Sequence, residues 1–357
     1  MNRFFLFALS LLLLTLSCRK NIDLYPPKLG KPCIRQFNLP DSVGTWHIDT
    51  LPLPKNDRYN RDLFFVNDKI GFLLKDYYSL FKTTDGGKTW AQLPNFKSYD
   101  IAEQVYFVNE NIGFVSIFGR PNAPLMVTTD GGNTWKNQLL NLNGTLNHFQ
   151  FVDNTHGFAL LFGLTLTTTT YKLNIALVET KNQGQTWAEV PLTDSLSTDR
   201  LGLQFLDNKK AFAIAQKNRT NYLIKSLDGG VTWKALGNLP NNIFSFKFVD
   251  EQNGIATNFS NCFTTTDGGL TWQQKTDIDG LSRLLFVGSL NDILMSLETT
   301  QCDFGDYIQP QSQFLSIENN TILRAPNVSL SSPRLSFFLN NKLGYAVLTD
   351  RLLRFTR

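Results

Sequence analysis

The chain has 357 residues, of which 18% are charged, and a net charge of +4 at pH 7. So modest a balance, without dense Lys/Arg clusters, excludes a nucleic-acid binder. Only three histidines occur, His47, His148 and His156, and their spacing offers no metal-ligand set, so neither a metal nor a cofactor is expected.

Residues 1–17 read as an export signal. Arg3 supplies the basic end, and the apolar run from Phe4 to Leu14 is too short for a permanent membrane helix. The exit Thr15-Leu16-Ser17-Cys18 resembles a bacterial lipobox, which makes Cys18 the expected site of lipidation. Residues 18–40 hold four prolines and no period, and read as a lipidated tether. An exported location permits disulfides: Cys262 and Cys302 are the candidate pair, with Cys33 left over.

From residue 41 onward two phrases alternate. The first begins at Phe65 (FVNDKIGF), Phe107, Phe151, Phe205 and Phe248, with weaker copies at Phe286 and Phe338. The starts are 42, 44, 54, 43, 38 and 52 residues apart. Such a period with several short strands per unit predicts an all-β, seven-bladed propeller of four-stranded blades over 41–357. In each phrase the Phe ends an inner strand, the polar residues turn, and the Gly opens the return strand.

The second phrase is TTDGGKTW at Thr83–Trp90, with copies at TTDGGNTW, TKNQGQTW, SLDGGVTW and TTDGGLTW. Its key residues are Asp85 and Trp90, Asp130 and Trp135, Asn182 and Trp187, Asp228 and Trp233, and Asp267 and Trp272. The carboxylate and the Thr/Ser hydroxyl can take turn N–H groups, the glycines can adopt positive φ, and the indole can cover the seam between blades. So regular a pattern suits a fastener better than a set of catalytic centres. A sixth copy, Asp41 to Trp46, lacks a third strand before it, while Arg351–Arg357 reads as a third strand with nothing after it. The N-terminal strand is therefore expected to close the last blade. The third repeat carries an insertion around Thr165–Tyr171, and the sixth a polar excursion over Thr299–Gln313.

These residues carry a resemblance. The S/T-x-D-x-G-x-T-W phrase resembles the Asp-box, or bacterial neuraminidase repeat. Its alternation with F-[VL]-[DN]-x-x-x-G-[FY] is similar to the photosystem II assembly and stability factor family of seven-bladed propellers. The resemblance spans 41–357 and implies a binding or assembly role; Asp-boxes also occur in sialidases, sorting receptors, cellulases and scaffolds without catalysis. The sialidase pattern is not met: no Arg-Ile-Pro precedes the first repeat, glutamates are sparse and no Tyr–Glu pair is visible.

One further pattern points to binding. Arg61, Arg200, Arg283 and Arg334 fall three to five residues before a phrase-starting Phe, in links that open around the channel. Loops on the same face add Arg120, Lys217 and Arg219. A ring of such groups favours a carboxylate-rich or phosphate-bearing partner, whereas scattered solvated loop charges would bind nothing in particular. The sequence thus reads as a lipid-anchored envelope propeller, in the outer membrane and facing the periplasm or cell surface. It is expected to act as a non-catalytic scaffold for a protein partner or acidic peptide. The alternative is a surface glycan-binding or sialidase-like hydrolase module, for which Tyr59, Tyr77, Tyr78, Tyr99 and Tyr222 would supply stacking platforms.

Overall fold

The computed structural model describes residues 41–357, with the exception of 55–58, 77, 99, 119–123, 167–170, 191–201, 218–219, 241–242, 244, 259–260, 276–280, 291, 304–307, 319–320, 325–334 and 349–350. All of the described residues but five belong to one compact unit, Gln36–Thr300 with Pro310–Arg357. A second unit, Met1–Arg35 with Gln301–Gln309, adds only two strand ends to the description.

Every described element is a strand. After β1 (Ser42–Val43) and β2 (Trp46–Pro52) come β3 (Asn60–Phe65), β4 (Gly71–Lys75), β5 (Ser79–Thr83) and β6 (Ala91–Gln92). The second group is β7 (Ile101–Phe107), β8 (Gly113–Phe118), β9 (Leu125–Thr128) and β10 (Lys136–Gln138). The third is β11 (Thr145–Phe151), β12 (Gly157–Leu166), β13 (Tyr171–Thr180) and β14 (Ala188–Glu189). The fourth is β15 (Leu203–Phe205), β16 (Ala211–Lys217), β17 (Thr220–Ser226) and β18 (Lys234–Asn238). The fifth is β19 (Ser245–Phe248), β20 (Gly254–Thr257), β21 (Cys262–Thr265) and β22 (Gln273–Lys275). The sixth is β23 (Leu281–Ser289), β24 (Asp292–Asp303), β25 (Ile308–Glu318) and β26 (Thr321–Arg324). The chain ends with β27 (Leu335–Phe338), β28 (Leu343–Val347) and β29 (Arg351–Thr356).

Each group of four forms its own antiparallel sheet in chain order, giving six four-stranded sheets of an all-β propeller. The remaining sheet departs from the expected four strands: it has five, in the order β1-β2-β29-β28-β27. Here β2 pairs with β29 from His47↔Thr356 to Pro52↔Arg351, and β1 folds back on β2 as an extra edge strand. In the third repeat β12 and β13 pair without a break to Leu166↔Tyr171, and in the sixth the described parts of the polar stretch, 299–303 and 308–313, belong to β24 and β25.

The phrase-starting Phe explains both the glycine after it and the packing of one sheet on the next. A Cβ on Gly71 would stand 2.6 Å from the Phe65 ring, and Gly113, Gly157, Gly254 and Gly344 meet the ring of their own phrase in the same way. The following residue then stacks on the next sheet's Phe. Phe72 lies on Phe107, Phe158 on Phe205 and Phe212 on Phe248, each with centroids 3.7 Å apart. Tyr345 of the composite sheet stacks on Phe65 of the first. Buried stacked rings combine large apolar burial with about 0.5–1.5 kcal/mol of pair geometry each.

Polar stitches run beside this aromatic spine. Gln150 gives its amide N–H to the Phe205 carbonyl (2.7 Å) and takes the Phe205 N–H (2.8 Å). Gln204 repeats both bonds with Phe248. One side-chain amide thus stands in for a strand neighbour, satisfying backbone groups that an inner edge would otherwise leave open.

Candidate partner-binding face

The two ends of each sheet differ in kind. Phrase turns and Asp-Gly-Gly turns share one end: Gly86 N–H donates to the Lys69 carbonyl at 2.9 Å. Equivalent bonds join Gly131 to Asn111, Gln183 to Thr155, Gly229 to Lys209 and Gly268 to Gln252. The opposite end carries the starts of the inner strands and the turns between second and third strands.

At the first end the carboxylates are spent on their own turns. Asp85 Oδ1 accepts the Thr89 N–H (2.9 Å) and the Thr83 hydroxyl (2.8 Å), while Oδ2 accepts the Thr89 hydroxyl (2.6 Å). Gly86 and Gly87 sit at φ 72° and 89°, where a side chain is strained. The same bonds recur at Asp130, Asp228 and Asp267. Led by the threonine hydroxyl, they hold the carboxyls of Asp85, Asp130 and Asp267 down at about 2. Asn182 keeps the frame with an amide, taking the Thr186 N–H and donating to its hydroxyl, each at 2.9 Å. Trp135, Trp187 and Trp233 donate their indole N–H to the carbonyls of Gly132, Gly184 and Gly230. Among the described residues no group of three or more His, Cys, Asp or Glu could hold a metal ion.

Two expectations are corrected here. In the composite sheet the carboxylate that takes the Thr45 N–H (2.7 Å) belongs to Glu318 of the sixth sheet, not to Asp41. The reason is β1, whose pairing with β2 draws Asp41 back beside Ile48 (Ile48 N–H to Asp41 O, 2.8 Å). Cys262 is a free thiol rather than half of a bridge to Cys302. It is buried with Ile255, Val287, Ile293 and Met295, and loss of hydration pushes its pKa up to about 12. The side chain of Cys302 lies outside the described residues, as do Cys18 and Cys33.

The opposite end is where a binding site can stand. Of the expected basic ring, Arg120, Arg200, Arg219 and Arg334 lie outside the described residues, as do the side chains of Lys217 and Arg283. Arg61 and Arg283 are strand residues rather than parts of the links. Arg61 occupies a bulge of β3, between Asn60↔Lys75 and Asp62↔Leu74. The next two sheets bulge at the corresponding place: Glu103 lies between Ala102 and Gln104 of β7, and His148 lies between Asn147 and Gln150 of β11. His148 lies inside the inner strand β11 and takes φ 56° there. A bulge frees one residue from the ladder and turns its side chain aside. Arg61, Glu103 and His148 thus occupy corresponding bulges on three consecutive inner strands.

Side chains bridge these strands. Val105 N–H donates to Asp62 Oδ2 (2.9 Å), and His148 N–H donates to Gln104 Oε1 (2.6 Å). Asp62 remains partly accessible, yet desolvation raises its pKa to about 7, outweighing the backbone N–H bonds that lower it. Desolvation likewise holds the imidazole of His148 and the ammonium of Lys247 below their ordinary values, although both reach solvent.

Beside the bulges the surface is aromatic. Tyr59, Tyr78 and Phe118 are exposed, Tyr59 at 71%. Tyr59 and Tyr78 are held together through their backbones: Asp76 N–H donates to the Tyr59 carbonyl (3.1 Å), and Tyr78 N–H donates to the Lys75 carbonyl (3.3 Å). Asp76 has φ 59°, a left-handed conformation that a non-glycine residue keeps only when its surroundings hold it. Beneath it Lys75 is buried and its Nζ donates to the Pro54 carbonyl (2.9 Å). Phe118 pairs with Ile101 at the same end of the second sheet. Tyr222 is half-buried in β17, and Tyr77 and Tyr99 lie outside the described residues. Glu103 was not singled out from sequence, because a bulge leaves no mark in a single chain; Phe118 reads there as one more strand residue.

The fold and its repeated turns define a β-propeller whose Asp-Gly-Gly carboxylates are engaged within their own turns. The sequence profile of the family described as photosynthesis system II assembly factor YCF48 matches residues 41–155 and 95–238, together more than half of the chain. The chain belongs to that family. Its structure is similar to that of YCF48 bound to a D1 peptide, at 17% identity and a TM-score of 0.62, covering 90% of this chain and 100% of that one. YCF48 from Cyanidioschyzon merolae is similar at 15% identity and a TM-score of 0.61, covering 87% and 98%. An ancestral GH74 enzyme follows at 15% and 0.56, covering 85% of this chain and 45% of that one. At such identities these likenesses carry the fold alone. No curated protein is similar enough in sequence to match.

Proposed function

We propose that this protein is a non-catalytic scaffold of the cell envelope that docks a protein segment on the channel-side end of its first two sheets. The observation that carries the reading is the exposed trio Tyr59, Tyr78 and Phe118 beside the bulged Arg61 and Glu103. Rigid aromatics next to an arginine are the composition of binding hot spots. One solved relative, YCF48, holds a peptide of D1, and the family profile carries the name of an assembly factor; both support a protein partner here. In this proposal the five-stranded composite sheet is the seventh blade of one closed ring, supported by the stack of Tyr345 on Phe65. Residues 1–17 direct export, Cys18 carries the lipid, and 18–40 form the tether that places the propeller at the outer membrane.

The test is co-purification of the full-length protein, gently extracted from its membrane, against a Tyr59→Ala, Arg61→Glu variant. Loss of a partner in the variant alone supports docking at this end. Retention of every partner overturns it. A variant that instead loses retention on a glycan column would move the site to the glycan-binding alternative.

A further inference from the structure

Comparison of the five Asp-Gly-Gly turns with one another isolates a second surface. The two variable positions of each turn are exposed, and none of the hydrogen bonds that repeat from turn to turn uses their side chains. In the first three turns they are Thr84 and Lys88, Thr129 and Asn133, and Lys181 and Gln185, all polar. In the fourth they are Leu227 and Val231, and in the fifth Thr266 and Leu270. These three apolar side chains are 60%, 52% and 58% exposed. The fifth turn packs beside the fourth sheet: a Cβ on Gly237, in that sheet's outer strand, would lie 3.4 Å from the carbonyl oxygen of Leu270. Lysines stand beside the patch, together with the carboxylates of Asp207 and Glu251 on the neighbouring turns. Lys209 is exposed, its carbonyl taking the Gly229 N–H of the Leu227 turn, and Lys234 is exposed after Trp233.

Apolar side chains on turn tips with lysines beside them match a bilayer surface, where the tips enter the acyl boundary and the ammonium groups meet anionic headgroups. The chain outside the described residues selects the same occupant. In the lipid-anchor reading Cys18 carries the lipid, and a tether of 18–40 reaches roughly 75 Å when extended. We infer that the Leu227, Val231 and Leu270 tips rest on the membrane that carries the anchor, leaving the opposite, bulged end of the sheets turned away from the lipid. This rests on the lipid-anchor reading above.

The experiment is backbone hydrogen exchange on the full-length lipidated protein, in detergent and in vesicles of phosphatidylethanolamine with phosphatidylglycerol. Exchange in residues 226–232 and 265–271 is expected to slow by roughly threefold or more in vesicles. A Leu227→Ser, Val231→Ser, Leu270→Ser variant is expected to lose that protection while staying vesicle-bound through its anchor; its exposed positions leave the core untouched. Equal exchange in the two media, or protection that survives in the variant, overturns the membrane contact and leaves the anchor standing. If the parent chain does not co-sediment with vesicles, the anchor fails and the contact falls with it. Concentration-dependent protection without vesicles would assign the patch to a second copy and overturn the proposal as well.

Discussion

Tyr345 lies flat on Phe65, with ring centroids 3.7 Å apart and planes within 3°. The two residues are 280 positions apart in the chain, yet they repeat the stack that joins the first sheet to the second, the third to the fourth and the fourth to the fifth. The last sheet is therefore welded to the first by the repeat's own chemistry. Both rings are fully buried, so Tyr345→Ala is expected to cost about 3–5 kcal/mol, and Tyr345→Phe far less. Denaturant unfolding of the two variants decides it; equal losses would mean that the stack is not what holds the sheets.

Arg357 works at the other seam of the composite sheet. Its guanidinium forms two bonds with the Asp292 carboxylate, at 2.7 and 2.6 Å, and lies 4.3 Å from the Trp46 ring. Planar pairing and ring stacking are both specific to arginine. Arg357→Lys should therefore lower the melting temperature nearly as much as Arg357→Ala, with a loss of roughly 1–3 kcal/mol for the latter. A lysine variant as stable as the parent would count against the bidentate role.

The closing strand makes a harsher test. β2 pairs along six residues with β29, and Trp46 is fully buried between Phe286 and Phe338. Deleting residues 41–50 uncovers the edge of β29 and removes that indole, so no folded monomer is expected. A soluble, cooperatively melting truncation would refute the closure.

Asp62 gives a pH signature. Its folded pKa of about 7 lies above the ordinary 3.8, so the folded chain binds more protons than the unfolded one between these values. The stability it contributes is complete below pH 4 and is lost as pH rises through 7. Asp62→Asn should remove that decline from a plot of unfolding free energy against pH. A parent curve with no fall between pH 5 and 8 would contradict the assignment.

The Asp-Gly-Gly turns carry the opposite sign. With folded pKa values of about 2, Asp85, Asp130 and Asp267 stabilise above pH 4, and that support is lost as pH falls through 2. Asn182 shows that an amide can fill the frame, so Asp85→Asn should melt above Asp85→Ala. The reverse order in a thermal scan would contradict it.

Much of this was legible before any coordinates. The alternation of the Phe and Asp-Gly-Gly phrases marked the inner strands, the return strands and the turns, because each phrase uses residue types that only one backbone geometry admits. Even the pairing of Trp46's strand with Arg351–Thr356 could be read from two half-phrases at the chain's ends. The stacking partner of each Phe could not, since it lies on the next sheet some forty residues away. The bulges at Arg61, Glu103 and His148 were equally hidden, because a bulge is a mismatch of register between two strands and has no signature in either one. The Asp41 frame was misread for a related reason: a two-residue edge strand, β1, outweighs the local turn. Sequence alone thus determined the repeat, the strand order and the fasteners, all set by short-range chemistry. Only the tertiary structure decided which side chains share an end of the sheets, since that depends on how neighbouring sheets twist and align.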